Sequence, residues 1–186
     1  MRRLALLAAA TGLIAAGTVI AQPMPPGPPP GSPSGPPGPG MVAMPTPDYV
    51  SHAARTDMFE IAEARMALHH SQNPHVRQFA QMMIADHTKS TNMIKAALRR
   101  SGHNPPPPPM LGPEQQRLMD ELRASGPNFD RTYIDQQVQG HQKALQLHQA
   151  YANGGDDPAL RHTARMIVPV VQHHLAMAQD IQGHIG

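Results

Sequence analysis

The chain contains no cysteine and no tryptophan, and only three phenylalanines and three tyrosines among its 186 residues. Without cysteine there is neither a disulfide framework nor the lipid-modified cysteine of a lipoprotein, so the fold must be stable without covalent cross-links. So few aromatic rings give little surface on which bases could stack, which disfavours a protein that binds single-stranded nucleic acid. No segment alternates apolar and polar residues over a useful length, and this absence predicts an all-α protein.

The chain also lacks an excess of charge of one sign. Two of the 15 basic residues are Arg2 and Arg3, so the chain beyond the N-terminal segment carries 13 basic and 13 acidic residues. A neutral chain of this kind lacks the basic face on which nucleic-acid binding depends, and we expect no nucleic-acid partner.

The N-terminus has the three regions of a secretory signal. Arg2 and Arg3 precede an apolar run from Leu4 to Ile20, and small residues lead up to Gln22. We predict that residues 1–21 are a cleaved signal peptide and that the mature protein is exported, to the periplasm or in association with the outer membrane. The alternative is an uncleaved membrane anchor, since the apolar run is almost long enough to span a bilayer.

Proline is the most unusual component of the composition. Twelve of the 22 prolines fall within residues 22–47, where they alternate irregularly with glycine. Such a segment favours an extended, semi-rigid conformation without a core. We therefore predict a disordered Pro/Gly-rich tether over residues 22–47, followed by a single helical domain over residues 48–186.

Helical periodicity and end signals recur through that domain. Asn73 and Pro74 are typical of a helix start, and Gly102 of a helix end. Five consecutive prolines, Pro105–Pro109, interrupt the pattern. The predicted helices span residues 48–72, 73–102, 113–124 and 128–153, with a last one that begins after Asp157. A ferritin-like four-helix bundle follows, in which two antiparallel pairs are joined by a crossover of about 25 residues that contains a short extra helix.

Three of the long helices place a histidine on their own apolar stripe. These residues are His87, His141 and His174, whereas His173 points about 100° away and should be exposed. A single buried histidine is typical of a hydrogen-bonded core residue. Three together must satisfy three donors and three acceptors in an apolar interior, and one metal ion does this economically.

Axial counting along the antiparallel pairs suggests partners for these histidines. A turn near residue 72 sets Glu60 within roughly 3 Å of the level of His87, which makes Glu60 a candidate fourth ligand. A turn near residue 155 leaves His141 and His174 about 7.5 Å apart along the axis, and Gln137 is then an alternative partner for His174.

Three blocks of the sequence resemble a known family. They read MMIADHTKSTNMIKAAL, GPNFDRTYIDQQVQGHQKALQLH and VPVVQHHLAMAQDI, and they resemble the exported, ferritin-like domain-of-unknown-function family 4142. The resemblance implies a ferritin-like four-helix bundle in the periplasm or outer membrane, with no established reaction. The family's motif positions fall here on Glu60, Asp86, His87, Tyr133, His141 and His174.

The ligand pattern departs from that of di-iron bundles, which use Glu-x-x-His on two helices. The residues three before the histidines are Ile84, Val138 and Val171. We therefore expect no di-iron centre and disfavour an enzyme.

Three imidazoles and Glu60 suit one divalent transition metal such as Zn, Cu or Ni. The alternative is a non-enzymatic structural or interaction module of the envelope, whose buried histidines form a hydrogen-bonded polar core. Its partner would be another envelope protein or a membrane surface.

Overall fold

A computed structural model describes residues 44–185, so the signal segment and most of the predicted tether lie outside the described residues. Five α-helices follow one another in this part of the chain, and a single 3₁₀ turn, Gly126–Asn128, precedes the fourth. The helices are α1 Thr46–His70, α2 Pro74–Arg100, α3 Pro113–Ala124, α4 Phe129–Gly154 and α5 Pro158–His184.

The helix ends follow from local side-chain chemistry. The Asn73 side chain accepts hydrogen bonds from the backbone N–H groups of His75 and Val76, at 2.9 and 3.4 Å. Asp157 does the same for Leu160 at 2.9 Å. Gly102 has a φ of +78°, the left-handed conformation that glycine adopts without strain. These contacts confirm both predicted limits of α2 and the predicted start of α5 to within two residues.

The helices pack as the predicted all-α, ferritin-like four-helix bundle. Loops of three residues connect α1 to α2 and α4 to α5, so each pair is antiparallel. The two pairs meet where α2 contacts α5 and α1 contacts α4, and α3 lies against α4. Among the described residues, no helix is both long and apolar enough to cross a membrane.

The bundle core has two apolar halves. One contains residues from the starts of α1 and α5 and the ends of α2 and α4, including Ala53, Leu98 and Leu160. The other contains residues from the opposite helix ends, including Phe79 and Ile134. Buried polar residues lie along the helices between these halves, and they include the three stripe histidines. The candidate site therefore occupies the middle of the bundle, closed off by apolar packing at both ends.

The inner face of α1 differs from the predicted one. The predicted stripe included Ala54 and Ile61, which are only half-buried, whereas Asp57, Glu60 and Glu63 are buried. Apolar residues cover more than one face of this helix, so periodicity alone misplaces its inner side.

The domain also begins earlier than predicted. α1 begins at Thr46, and Met44 packs against the core, so residues 44–47 belong to the bundle and not to the tether. The rest of the predicted tether lies outside the described residues.

Candidate metal centre

The three stripe histidines meet in the middle of the bundle. One ring nitrogen of each of His87, His141 and His174 lies within 4.8 Å of a nitrogen of each of the others. The ring centroids are 5.4 to 5.7 Å apart, and the exposed fractions are 5, 0 and 1%. His173, which directly precedes His174 in α5, is exposed as predicted. We refer to the three buried residues as the histidine triad.

Each ring of the triad donates one hydrogen bond to an oxygen outside the triad. His87 Nδ1–H donates to Asp57 Oδ1 at 2.8 Å, and His141 Nδ1–H donates to the backbone carbonyl of Gln137 at 2.8 Å. His174 Nε2–H donates to Asp86 Oδ2 at 2.9 Å. Carboxylate and carbonyl oxygens only accept, so these bonds require the proton to sit on the named nitrogen. The tautomer of each ring follows from its partner.

The second nitrogen of each ring has no hydrogen-bond partner among the described residues. These atoms are Nε2 of His87, Nε2 of His141 and Nδ1 of His174, and all three are buried. In a neutral imidazole with the tautomer given above, each carries a lone pair. A buried ring nitrogen without a partner destabilises the bundle, and one metal ion between the three rings would pair all of them. This is the arrangement expected of ligands whose outer nitrogens are oriented by hydrogen bonds.

The surroundings push the pKa values of the triad apart. Burial lowers the pKa of His141 to about 3, and the neighbouring charges of His87 and His174 add to this effect. Burial also lowers the pKa of His174, although the hydrogen bond to Asp86 opposes it. A lowered pKa at all three positions follows from burial alone, and for His87 that expectation is wrong. Burial lowers the pKa of His87, but the hydrogen bond and charge of Asp57, with Glu60 and Asp86 nearby, outweigh it and raise the pKa.

Glu60 is buried next to the triad but is held by a different group. Its carboxylate accepts a hydrogen bond from the Gln137 amide, and the same amide donates to Glu63 Oε2 at 2.9 Å. Gln137 is thus not the partner of His174. Its side-chain amide donates to Glu60 and Glu63, and its backbone carbonyl accepts from His141. Burial raises the pKa of Glu60 to about 7, against the opposing influence of His87. Burial and the charge of Glu60 also raise the pKa of Glu63.

Asp57 is the site residue that sequence reasoning missed. Asp57 Oδ1 holds His87, and its Oδ2 accepts from the Thr91 hydroxyl at 2.8 Å. A turn near residue 72 places His87 level with about residue 58, so Asp57 is nearer that level than Glu60. The axial count therefore points to Asp57 as a partner of His87. Asp57 does not lie on the predicted inner stripe of α1, however, so the stripe excluded it.

The predicted axial gap between His141 and His174 is smaller in the structure. The loop between α4 and α5 is centred on residue 156, and this moves the residue level with His141 to about 171. The remaining offset is about three residues, or about 4.5 Å, which two imidazole side chains span. The ring centroids accordingly lie 5.4 Å apart.

A fourth buried histidine lies outside the triad. His148 Nδ1 lies 3.0 Å from the Tyr49 hydroxyl, and that tyrosine ring stacks on Tyr151 with centroids 3.8 Å apart. Burial lowers the pKa of His148 to about 4. With its ring nitrogen engaged by Tyr49, His148 behaves as a hydrogen-bonded core residue.

The fold and the site together define a helical bundle with a buried three-histidine cluster. Residues 31–181 match the family described as Domain of unknown function (DUF4142), and the chain belongs to that family. No curated protein matches the chain.

Several solved structures share the fold. CopM in the Cu(II)-bound form is 17% identical, with a TM-score of 0.65 over 77% of this chain and 99% of CopM. CopM in the Ag-bound form, obtained by co-crystallization, is 21% identical, with a TM-score of 0.63 over 77% and 99%. A DUF305 fragment from Deinococcus radiodurans is 20% identical, with a TM-score of 0.63 over 75% and 96%. At these identities the likeness establishes the helical-bundle fold.

Proposed function

We propose that this chain is an exported protein that binds one transition-metal ion through His87 Nε2, His141 Nε2 and His174 Nδ1. The observation that carries the proposal is the meeting of three buried histidines, each of which has one ring nitrogen without a partner among the described residues. A metal ion bound there would accept all three lone pairs at once. The apolar halves of the core would exclude water from it.

The donor set favours a borderline or soft metal. Imidazole suits Zn, Cu and Ni, and the triad supplies three neutral nitrogens. Negative charge comes from Asp57 and Asp86, which orient His87 and His174 from outside the ligand set. We assign Glu60 a charge-balancing position close to the ion, since Gln137 holds its carboxylate.

Copper is the metal we propose among these candidates. Three neutral imidazoles add no negative charge to the site, so they suit an ion of low charge such as Cu(I). Cu(I) also prefers few ligands. The structural relatives support this choice, because CopM structures hold Cu(II), Cu(I) and Ag. An exported protein would meet metal ions as they enter from outside the cell. The predicted signal segment supports export.

Metal analysis of the mature protein tests the proposal. The protein is purified without a histidine tag, because the 12 histidines of the natural chain already favour adventitious binding. We expect one equivalent of Cu(I) that survives dialysis, and its loss in His87→Ala. His173→Ala is the matched control, since His173 adjoins His174 in sequence but is exposed. Equal loss in the two variants would rule out the triad as the site.

The other candidate function is the envelope module with a hydrogen-bonded histidine core. It is favoured by the acceptor oxygen that each triad ring already has, at 2.8 to 2.9 Å. This candidate predicts a metal-free protein whose unfolding midpoint is unchanged by added Cu(I), Zn(II) or Ni(II). A triad that binds metal predicts a rise, because a ligand that binds only the folded state stabilises it.

A further inference from the structure

A second feature of the bundle lies on its outer surface, away from the triad. The segment Pro106–Pro109 runs across the outer side of α1 and α2 and encloses a cavity of about 310 Å³. The floor of the cavity is aliphatic and includes Met58, Ile61, Ile94 and Leu98. A cavity of this size and composition is typical of a site for a small apolar molecule. We refer to this space as the proline-covered groove.

The groove explains the second apolar face of α1. Ala54, Met58 and Ile61 point away from the bundle core and remain only half-buried even with the prolines above them. Consecutive prolines favour an extended conformation that is stiff and has no internal hydrogen bonds. Such a segment bridges the two helices without collapsing onto them, so the space beneath it persists.

The charged side chains that line this first cavity are both cationic. Arg65 and Lys95 are the only charged residues that line the cavity, and no carboxylate lines it. Neither residue forms an ion pair within the part of the chain that the structure describes. An apolar floor beside two free cations is complementary to a molecule with an apolar tail and an anionic head.

The groove continues beyond this cavity. A second cavity, of about 610 Å³, shares Val50, Ala54 and Leu98 with the first, and it also lies beneath Pro106 and Pro107. It extends to the start of α5, where Asp156 and Asp157 line it. The two cavities share lining residues, so we treat them as parts of one groove. An anionic group is thus favoured only at the end with Arg65 and Lys95, and the apolar lining suits an alkyl chain.

We propose that the proline-covered groove binds a long-chain fatty carboxylate, with its alkyl tail beneath Pro106–Pro109 and its carboxylate at Arg65 and Lys95. The tail would bury apolar surface against Met58, Ile61 and the proline rings. The two cations would then select an acid over the corresponding alcohol. This site is independent of the histidine triad, so it stands or falls separately from the metal proposal.

Displacement of a fluorescent polyene fatty acid from the mature chain tests the proposal. Palmitate should displace the probe at micromolar concentration, and hexadecanol should bind about tenfold more weakly. Reversing both cations, with Arg65→Glu and Lys95→Glu, should remove the preference for palmitate. The matched control is Arg100→Glu, because Arg100 is exposed at the end of α2 and does not line the groove. Failure of the wild-type chain to bind the probe would overturn the proposal.

A second variant tests the position of the tail. Ala54 lines both cavities, so Ala54→Phe should fill the junction and reduce binding of palmitate and hexadecanol alike by tenfold or more. Circular dichroism confirms that the variant is folded. Full binding by a folded Ala54→Phe variant would place the ligand elsewhere and contradict the proposal. Should that variant not fold, the double reversal decides alone, since Arg65 is exposed and Lys95 only half-buried.

Discussion

At the scale of single residues, the triad is defined by what its rings do with their two nitrogens. In each ring one nitrogen is fixed by an oxygen of Asp57, Asp86 or the Gln137 backbone, and the other is left for the centre. Burial lowers the pKa of His141 and His174, while Asp57 raises that of His87. In metal-free protein, His87 is therefore the residue of the triad that is most readily protonated. Metal binding should release this proton.

The lowered pKa of His141 predicts a pH-dependent stability. In the folded state this pKa is about 3, against about 6.5 when unfolded, so between these values the unfolded chain binds more protons. Stability should fall as pH drops from about 6.5, by at most about 1.4 kcal/mol per pH unit for this group, and level off near pH 3. In metal-free protein, His141→Gln should reduce the loss between pH 6.5 and 5 by about 2 kcal/mol. Urea midpoints from pH 5 to 8 measure this.

His87 contributes with the opposite sign. Its raised pKa gives stability that is fully present below about pH 6.5 and is lost as pH rises through the folded value. The wild-type curve is a sum of both effects, so the difference between variant and wild type is the quantity to compare. His174→Gln should reduce the loss of stability at low pH, as His141→Gln does. His173→Gln should leave that loss unchanged. Equal effects at His173 and His174 would contradict the assignment of the inner face of α5.

The two buried acids near the triad should differ in their effect on metal binding. Asp57 orients a ligand directly, so Asp57→Asn should weaken Cu(I) binding about 10- to 100-fold, as is usual for groups that hold a ligating histidine. We propose that Glu60, whose carboxylate is held by Gln137, acts only through its charge, so Glu60→Gln should weaken binding by no more than about tenfold. Competition titrations with a coloured Cu(I) chelator give both constants. Complete loss of binding in Glu60→Gln would instead make Glu60 a ligand.

Much of this residue-level picture could be predicted from sequence. The stripes of α2, α4 and α5 are regular, so periodicity alone assigned His87, His141 and His174 to the interior. Asp57 could not be assigned in this way, because α1 carries apolar residues on an outer face as well. Nor does sequence separation indicate that the amide of Gln137 binds two glutamates of another helix.

At the scale of the helix, Gly140 of α4 leaves room for the Glu60 side chain of α1. A Cβ at this position would lie 2.8 Å from Glu60 Oε1, a distance that real Cβ atoms do not reach. The missing side chain therefore makes room for a buried carboxylate in the middle of the bundle. Glycine costs a helix about 1 kcal/mol relative to alanine, so its presence within α4 needs such a reason.

This packing predicts a coupled pair of substitutions. Gly140→Ala should destabilise the bundle despite its better helix propensity, because Glu60 must move and its hydrogen bond to Gln137 is strained. In an Glu60→Ala background the same change should stabilise by up to about 1 kcal/mol. Gly183→Ala is the control, since nothing lies within 4 Å of its added Cβ. Urea unfolding of the four chains of the cycle measures the coupling, and additive effects would contradict the account of α1 and α4.

Helix limits were the best-predicted feature at this scale. Asparagine, proline and glycine signals act within a few residues, so they place both ends of α2 and α3 and the start of α5 to within two residues. The path of Pro105–Pro109 was not predictable, because proline fixes a local conformation and does not determine which surface the segment crosses.

At the scale of the whole molecule, the bundle encloses a polar middle layer between two apolar halves. The halves supply the stability that a chain without disulfides needs, and the middle supplies the site. The prolines of the crossover lie outside the four long helices and cover the groove. The histidine triad thus lies inside the four long helices, and the groove lies outside them.

The segment that precedes the bundle should contribute little to its stability. Deletion of residues 22–43 removes only the Pro/Gly-rich part of the predicted tether and keeps Met44, which packs on the core. We expect the melting temperature of the deletion variant to stay within about 2 °C of that of the mature chain, because a segment dominated by proline and glycine has few apolar residues to bury. Deletion through Thr46, which also removes Met44, should lower it measurably. Scanning calorimetry compares the three chains.

The most direct test of the metal centre is X-ray absorption spectroscopy of the mature chain loaded with one equivalent of Cu(I). The account predicts three nitrogen neighbours at about 2.0 Å, with the outer-shell scattering of imidazole rings and no sulfur. The spectrum should be unchanged in His173→Ala and should lose one imidazole in His174→Ala. Twelve of the 13 methionines remain in the mature chain and offer an alternative set of soft ligands. Sulfur neighbours, or a spectrum indifferent to His174, would contradict the central claim that the buried triad binds the metal.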